Sequence, residues 1–260
     1  MISLLKKRKK AYEEFSKIIN DSSNVLLICY SYCNVNINQI DFSPIITSIS
    51  IQTLDKNYEN KYFSLIKEAE KANIEIDDIE DNYEELEYFL LDEFNSFLKK
   101  HRDYIWIHWR MNQLDYGFEA IKHRFDITAK EIDIELENIA ANNKFDLNYL
   151  LERMYGEEYT KDNDKMKSLM QENNYIDSKS YMSSKQESEQ FNKKQFSQVK
   201  NSINSKMNFM FTIIEKLENK TLKIPFKNNY SIFIEFISHP LFHLVGWLAT
   251  ILGTTYAFSS

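Results

Sequence analysis

Cysteine, proline and glycine are scarce in this 260-residue chain, which has two cysteines, three prolines and four glycines. Two cysteines are too few for a disulfide scaffold. Cys29 and Cys33 lie in an apolar run, so we expect reduced thiols in a cytosolic domain. The sequence has no glycine-rich phosphate loop, no nucleophile elbow and no zinc cluster. We therefore predict no metal ligands and no cofactor.

An excess of basic charge is also missing. The formal net charge is −7, which argues against a general electrostatic grip on nucleic acid, although a local basic groove stays open. Hydrophobic residues make up 43% of the chain, enough to bury a sizeable core in one large domain with or without an appendage. The basic amino terminus is not followed by an apolar run, so we expect no signal peptide.

Charged side chains are absent from residues 241–258. Eighteen uncharged, mostly apolar residues lie at the lower edge of the length that spans a bilayer. Gly246, Ala249, Gly253 and Ala257 recur at helical spacing, a pattern of small residues that would let membrane helices pack closely. We therefore predict a carboxy-terminal hydrophobic helix that associates with membrane lipid or with another copy of the chain.

A soluble alternative exists for this tail, namely a buried helix of the protein core or a segment that docks on a partner protein. With the tail as a membrane anchor, the predicted organisation is a domain over residues 1–222, a linker over 223–237 and a tail over 238–260. The domain would then lie in the cytoplasm, at the inner face of the cell membrane.

The apolar pattern predicts an α/β or α+β domain around a mixed sheet. Residues 22–33 form a continuous apolar run, and residues 45–54 alternate and are rich in β-branched side chains, so both indicate strands. Residues 61–66 suggest a third strand and an antiparallel meander. Residues 83–100 carry an apolar stripe with acids first and lysines last, which predicts a helix. Residues 104–109 indicate the next strand, and helices follow it.

The run "YIWIHWRMNQLDYGF" at residues 104–118 supplies most candidate site residues. His108 is a candidate acid–base catalyst, or else a hydrogen-bonded core histidine. Asp115 is a candidate catalytic carboxylate, or else a helix N-cap. Trp109, Arg110 and Arg124 are candidate ligand-binding residues, although the tryptophan also suits a core and Arg124 also suits a surface ion pair.

A strand ending at His108, a loop with Asp115 and a helix from about Gly117 resemble the second motif of the DEDD-type 3′–5′ exonucleases. The resemblance covers roughly residues 25–210. It implies a ribonuclease-H-like fold, in which four carboxylates bind two divalent metals that activate water.

The chain departs from the other motifs of that family. Residues 31–34 read Ser-Tyr-Cys-Asn where the first strand should carry two acids. The late helix offers Lys200, Asn204 and Asn208 and no acid. Amides and thiols do not replace carboxylates around hard divalent cations. The resemblance therefore implies a degenerate member, and Mg²⁺ or Mn²⁺ would be needed only if another set of acids served an active nuclease.

A second resemblance is to a poorly characterised bacterial family associated with phage-defence neighbourhoods and with a hydrophobic carboxy terminus. The shared residues are His108-Trp109, Met111, Tyr116-Gly117-Phe118, His123-Arg124, Tyr155-Gly156, Tyr159 and Thr221-Leu222-Lys223. Together the two resemblances imply a membrane-associated effector or sensor that binds a nucleotide or nucleic-acid end. An active metal-dependent nuclease and a soluble protein-interaction module stay open as alternatives.

Overall fold

The computed structural model describes most of the chain up to residue 227. The described residues are 2–34, 44–55, 60–111, 117–130, 132 and 134–227. The predicted membrane or oligomer face at Gly246, Ala249, Gly253 and Ala257, the tail over 238–260 and most of the linker lie outside them. No helix among the residues that the structure describes is long and apolar enough to cross a membrane.

Within the residues that the structure describes, five strands form one mixed sheet in the order β3-β2-β1-β4-β5. The strands are β1 (Val25–Cys33), β2 (Ile45–Thr53), β3 (Lys61–Ser64), β4 (Ile105–His108) and β5 (Lys144–Asp146). The first three make an antiparallel meander, whereas β4 is parallel to β1 and β5 is parallel to β4. The predicted mixed sheet with leading antiparallel strands is confirmed.

Eight α-helices accompany the sheet in the described part of the chain. They are α1 (Ile2–Asn20), α2 (Leu65–Ala72), α3 (Tyr83–His101), α4 (Phe118–Thr128), α5 (Leu147–Tyr155), α6 (Lys165–Glu172), α7 (Ser184–Asn192) and α8 (Phe196–Glu218). The helix predicted over residues 83–100 is confirmed. Its apolar stripe packs on the sheet, where Phe94 and Phe97 meet the ring of the buried Trp106 edge-on at 6.5 and 6.2 Å.

The central strand β1 is covered on both faces. Successive side chains of a strand point to opposite sides of the sheet. Cys29 lines a cleft together with Lys206 of α8, whereas the hydroxyl of Tyr30 accepts a hydrogen bond from the backbone N–H of Gly117, just before α4. Helices α3 and α4 therefore lie on one face of the sheet, and α7 and α8 lie on the other. The carboxyl ends of the parallel strands β1 and β4 open between these layers.

Candidate ligand-binding cleft

A cleft of about 380 Å³ opens beyond the carboxyl end of β4 and beside the second half of β1. Ligand sites of open α/β sheets commonly form at this edge. Its wall combines β1, the turn after β4, the first residues of α6, the segment before α7, and α8. The lining residues are Ile28, Cys29, Tyr32, Trp109, Arg110, Met111, Asn163, Asp164, Lys165, Met166, Tyr181, Ser183, Ser184 and Lys206. Trp109 and Arg110, two of the predicted ligand-binding residues, therefore meet in one cleft.

Two side chains hold the turn that carries Arg110. The backbone N–H of Arg110 donates to Oδ1 of Asp146 at 3.1 Å, and the backbone N–H of Met111 donates to Nδ1 of His108 at 3.1 Å. Arg110 has a φ of +56°, in the left-handed region, which is unfavourable for a residue with a long side chain. The neighbouring acceptors therefore maintain a strained backbone that projects an exposed arginine side chain at the cleft.

His108 is fully buried at the end of β4. Because its Nδ1 accepts a hydrogen bond, its proton lies on Nε2, and Nε2 has no hydrogen-bond partner in the described part of the protein. Burial, together with the nearby ammonium of Lys144, lowers the pKa of His108 to about 3. The ring stands at 78° to that of Phe118, with ring centres 5.4 Å apart. This neutral imidazole orders the turn, and it does not line the cleft.

Two further candidates, Arg124 and Asp115, are not among the described residues that line the cleft. The Arg124 guanidinium is buried and bonds to both carboxylate oxygens of Glu87 in α3. It contributes no surface to the cleft. Asp115 lies outside the described residues, between Met111 and Gly117.

Lys206 is a cleft residue that the sequence reasoning did not identify. Its Nζ donates to Oε1 of Glu187 at 2.7 Å and lies 5.4 Å from the centre of the Tyr181 ring. The same Oε1 accepts a hydrogen bond from the hydroxyl of Ser202 at 2.6 Å. Glu187 is buried, and its Oε2 has no partner among the described residues. The signal in the sequence was a lysine three residues after Ile203 and four before Met210, on the buried face of α8.

The beginnings of α6 and α7 form the opposite wall. The Asp164 side chain caps α6 by accepting from the backbone N–H of Lys167, and both of its carboxylate oxygens accept from the Tyr181 hydroxyl at 2.8 Å. Ser183 caps α7 through a capping box with Gln186. The positive ends of two helix dipoles thus border the cleft, although the Asp164 carboxylate offsets part of that charge.

The positive side chains of the wall differ in their partners. Lys165 bonds to Glu152 at 2.6 Å, and Lys206 bonds to Glu187. Arg110 is the lining cation for which the described residues supply no ion-pair partner. A ligand with negative charge would therefore meet the Arg110 guanidinium beside the half-buried Trp109 indole.

Hydroxyl groups occupy the strand positions where the exonuclease resemblance requires acids. The hydroxyl of Ser31 lies 2.6 Å from that of Thr47 and 2.8 Å from that of Ser48, all three in the buried centre of the sheet. In the described ranges, no group of three or more histidine, cysteine, aspartate or glutamate side chains is arranged to hold a metal ion.

Comparison with protein-family models, with curated proteins and with solved structures found no match for the chain.

Proposed function

We propose that this chain is a catalytically degenerate, ribonuclease-H-like domain that binds a nucleotide or a nucleic-acid end and associates with a membrane through its carboxy-terminal tail. It would act as an effector or sensor, with antiphage defence as its setting. The observation that carries the binding role is the cleft in which the guanidinium of Arg110, which has no ion-pair partner among the described residues, stands beside Trp109.

The order of elements supports the exonuclease-like reading. Three leading antiparallel strands are followed by the amphipathic helix α3, by β4 and then by further helices. This is the sequence of elements on which the resemblance rests. The aromatic run from residue 104 begins with β4, and its residues Trp109, Arg110 and Met111 line the cleft.

The replaced acids favour binding without metal-dependent hydrolysis. A two-metal mechanism needs several carboxylates around hard divalent cations. Where the resemblance calls for acids on the first strand, Ser31 shares hydroxyl contacts with Thr47 and Ser48. On the helical side, the Lys206 ammonium is already paired with Glu187. These contacts supply no open set of charged oxygens.

The chemistry of the cleft suits a phosphate next to a base. Arginine binds phosphate oxygens in a forked geometry, and helix N-termini favour anions. A tryptophan ring offers a stacking surface that every base can use. Arg110, Trp109 and the beginnings of α6 and α7 bring these elements into one cavity of about 380 Å³. The predicted ligand is therefore a nucleotide or the end of a single strand.

Binding of end-labelled oligonucleotides and of nucleotides to the full chain tests this role. Arg110→Asn removes the charge but keeps a residue that tolerates the left-handed backbone, so we expect a loss of affinity of about tenfold. Arg102→Gln, which changes an exposed arginine on another surface, is the matched control. Equal affinity in both variants and the parent chain overturns the cleft assignment. Mn²⁺-dependent degradation that is lost in Asp115→Ala overturns the non-catalytic reading.

Fractionation of the full chain and of a chain ending at residue 237 tests the membrane role. The supporting observation is the uncharged segment 241–258. We expect the full chain to need detergent for extraction after a carbonate wash, and the shortened chain to be released without it. If the full chain stays monodisperse without detergent, the tail belongs to a core or to a partner interface.

A further inference from the structure

Helix α1 carries an exposed basic face. Lys6, Lys10 and Lys17 are exposed and lie four and seven residues apart, so they share one side of the helix. Lys7, three residues before Lys10, is also exposed and lies between that side and the side on which Ala11, Phe15 and Ile18 are buried in the protein core. The lysines therefore form one ridge on the surface of the molecule, here called the basic ridge.

Two acids accompany the six basic residues of α1. The Glu14 carboxylate is bound by both terminal nitrogens of Arg153 in α5. That hydrogen-bonded arginine, with Lys10 and Lys17 adding to its effect, lowers the pKa of Glu14. Glu13 forms a 3.8 Å ion pair with Lys9 and lies three residues after Lys10, on the side of the ridge. In a chain whose net charge is −7, positive charge is thus concentrated on α1.

The described chain ends next to α1. The backbone N–H of Phe226 donates to the carbonyl of Tyr159 at 3.4 Å, which fixes the last described residues against the domain. The Lys227 ammonium lies 6.0 Å from the centre of the Tyr155 ring, and the Arg8 guanidinium lies 5.9 Å from the same ring. Lys227 and Arg8 of α1 therefore lie near the same aromatic ring, that of Tyr155.

A cleft of about 580 Å³ marks this junction. It is lined by residues of α1, of α5 and of the end of the described chain, namely Lys7, Arg8, Tyr149, Glu152, Arg153, Met154, Tyr155, Gly156, Glu157, Glu158, Phe226 and Lys227. Exposed aromatic side chains border it, with 55% of Tyr149 and 52% of Phe226 accessible to solvent. Aromatic rings beside lysines are typical of surfaces that rest on lipid headgroups.

We infer that the basic ridge of α1 docks on an anionic lipid surface, on the side of the domain where the described chain ends at Lys227. This inference rests on the membrane role proposed for the tail and names the lipid chemistry that the domain would recognise. Lysines near an anionic leaflet gain about 1 kcal/mol each, and the attraction fades within a Debye length. Only a surface held close to the membrane benefits, and the uncharged segment begins 14 residues after Lys227.

The chain allows a clean optical assay, because Cys29 and Cys33 are both buried. An environment-sensitive dye on a cysteine in Glu13→Cys would report from an exposed site three residues after Lys10. The full labelled chain is mixed with vesicles of phosphatidylcholine alone or with phosphatidylserine added. Binding is measured by flotation, and contact of α1 by the dye spectrum.

We expect the dye to shift on anionic vesicles and to return to its free spectrum in 0.5 M salt. The triple variant Lys6→Gln/Lys7→Gln/Lys10→Gln should lower the equilibrium constant for contact between α1 and the vesicle by on the order of 100-fold, about fivefold for each lysine. Lys99→Gln/Lys100→Gln, which neutralises two exposed lysines at the end of α3, is the control and should change nothing.

The outcomes separate this inference from the tail proposal. Flotation with both vesicle types and no lipid-dependent dye shift overturns docking of the ridge but leaves the tail anchor standing. Flotation with anionic vesicles alone, lost in the triple variant, supports the ridge and contradicts the anchor. No flotation with either type overturns both. A dye response to a short oligonucleotide that exceeds the response to anionic vesicles assigns the ridge to nucleic acid and overturns the proposal.

Discussion

Arg124 and Glu87 form a buried ion pair between α4 and α3. The Nε of Arg124 donates to both carboxylate oxygens of Glu87, at 3.0 and 3.1 Å. Oε1 of Glu87 also accepts the backbone N–H of Ile46 in β2 at 2.7 Å. Burial raises the pKa of Glu87, and the guanidinium opposes that rise. The pair connects two helices to the sheet, so Arg124 has the ion-pair role that the sequence offered as its alternative, in the core and not at the surface.

Removing Arg124 should destabilise the domain. Arg124→Met leaves a buried carboxylate without its cation, so we expect the free energy of unfolding to fall by roughly 3–5 kcal/mol. Urea denaturation at neutral pH measures the change. Lys122→Met, which breaks an exposed pair with Asp126, should stay within about 0.5 kcal/mol of the parent. A loss below about 1 kcal/mol in Arg124→Met would contradict the importance given to this pair.

The buried Lys206–Glu187 pair should show strong coupling. Lys206→Met and Glu187→Met each leave one buried charge, and each should cost roughly 3 kcal/mol. The double variant replaces both charges with apolar groups and should be more stable than either single variant. A double-mutant cycle in urea measures the coupling. Strictly additive losses would show that the two side chains do not depend on each other.

His108 should make stability dependent on pH. Its pKa is about 3 in the folded protein and 6.5 in the unfolded chain, so between these values the unfolded chain binds more protons. Stability is therefore complete above pH 6.5 and falls as the pH is lowered, by roughly 2 kcal/mol from this residue at pH 5. Urea denaturation at pH 7, 6 and 5 should show a shallower dependence in His108→Asn, whose side-chain oxygen can still accept from Met111.

The exposed His123 supplies the control for this measurement. His123→Asn makes the same replacement at an exposed position and leaves the hydrogen bond between His108 and Met111 intact, so it controls for the substitution itself. If the free energy of unfolding depends equally on pH in His108→Asn and in the parent chain, His108 does not contribute to that dependence, which would contradict the prediction.

The two thiols should be unreactive in the folded protein. Burial raises the pKa of Cys29 to about 12 and that of Cys33 to about 11, and the Cys33 thiol donates to Asn192 of α7 at 2.7 Å. At pH 8, Ellman's reagent should therefore detect no fast thiol until denaturant is added. The exposed position in Ser16→Cys provides a fast-reacting control. Rapid native reaction of Cys33 would show that α7 separates from β1.

Long elements with one strong pattern could be predicted from the sequence. Helix α3 begins at Tyr83, as its apolar stripe predicted, and β1, β2 and β4 lie where apolar or β-branched runs indicated strands. Two elements were missed for physical reasons. β5 has three half-buried residues, too few for a pattern. The second missed element is α2. Residues 61–66 were predicted as a single strand, but β3 ends at Ser64, whose side chain caps α2.

The candidate site was only partly predictable. Trp109 and Arg110 were identified because they follow a strand, and strand ends commonly carry function. The opposite wall comes from residues 161–191, whose weak apolar periodicity gives little indication of buried positions. Met166, Leu169 and Met170 of α6 are nevertheless buried. The pairing of Lys206 with Glu187, 19 residues earlier in the chain, depends on how α7 and α8 fold against β1, which local patterns do not encode.

The cover of β1 by α7 and α8 has a consequence for biosynthesis. The central strand leaves the ribosome well before α7 and α8, the two helices that shield one of its faces. At ordinary elongation rates, roughly 10–40 s pass between synthesis of β1 and synthesis of the helices that cover this face. During this interval the nascent chain presents an unshielded apolar strand, so the domain should depend on holdase chaperones until translation has passed α8.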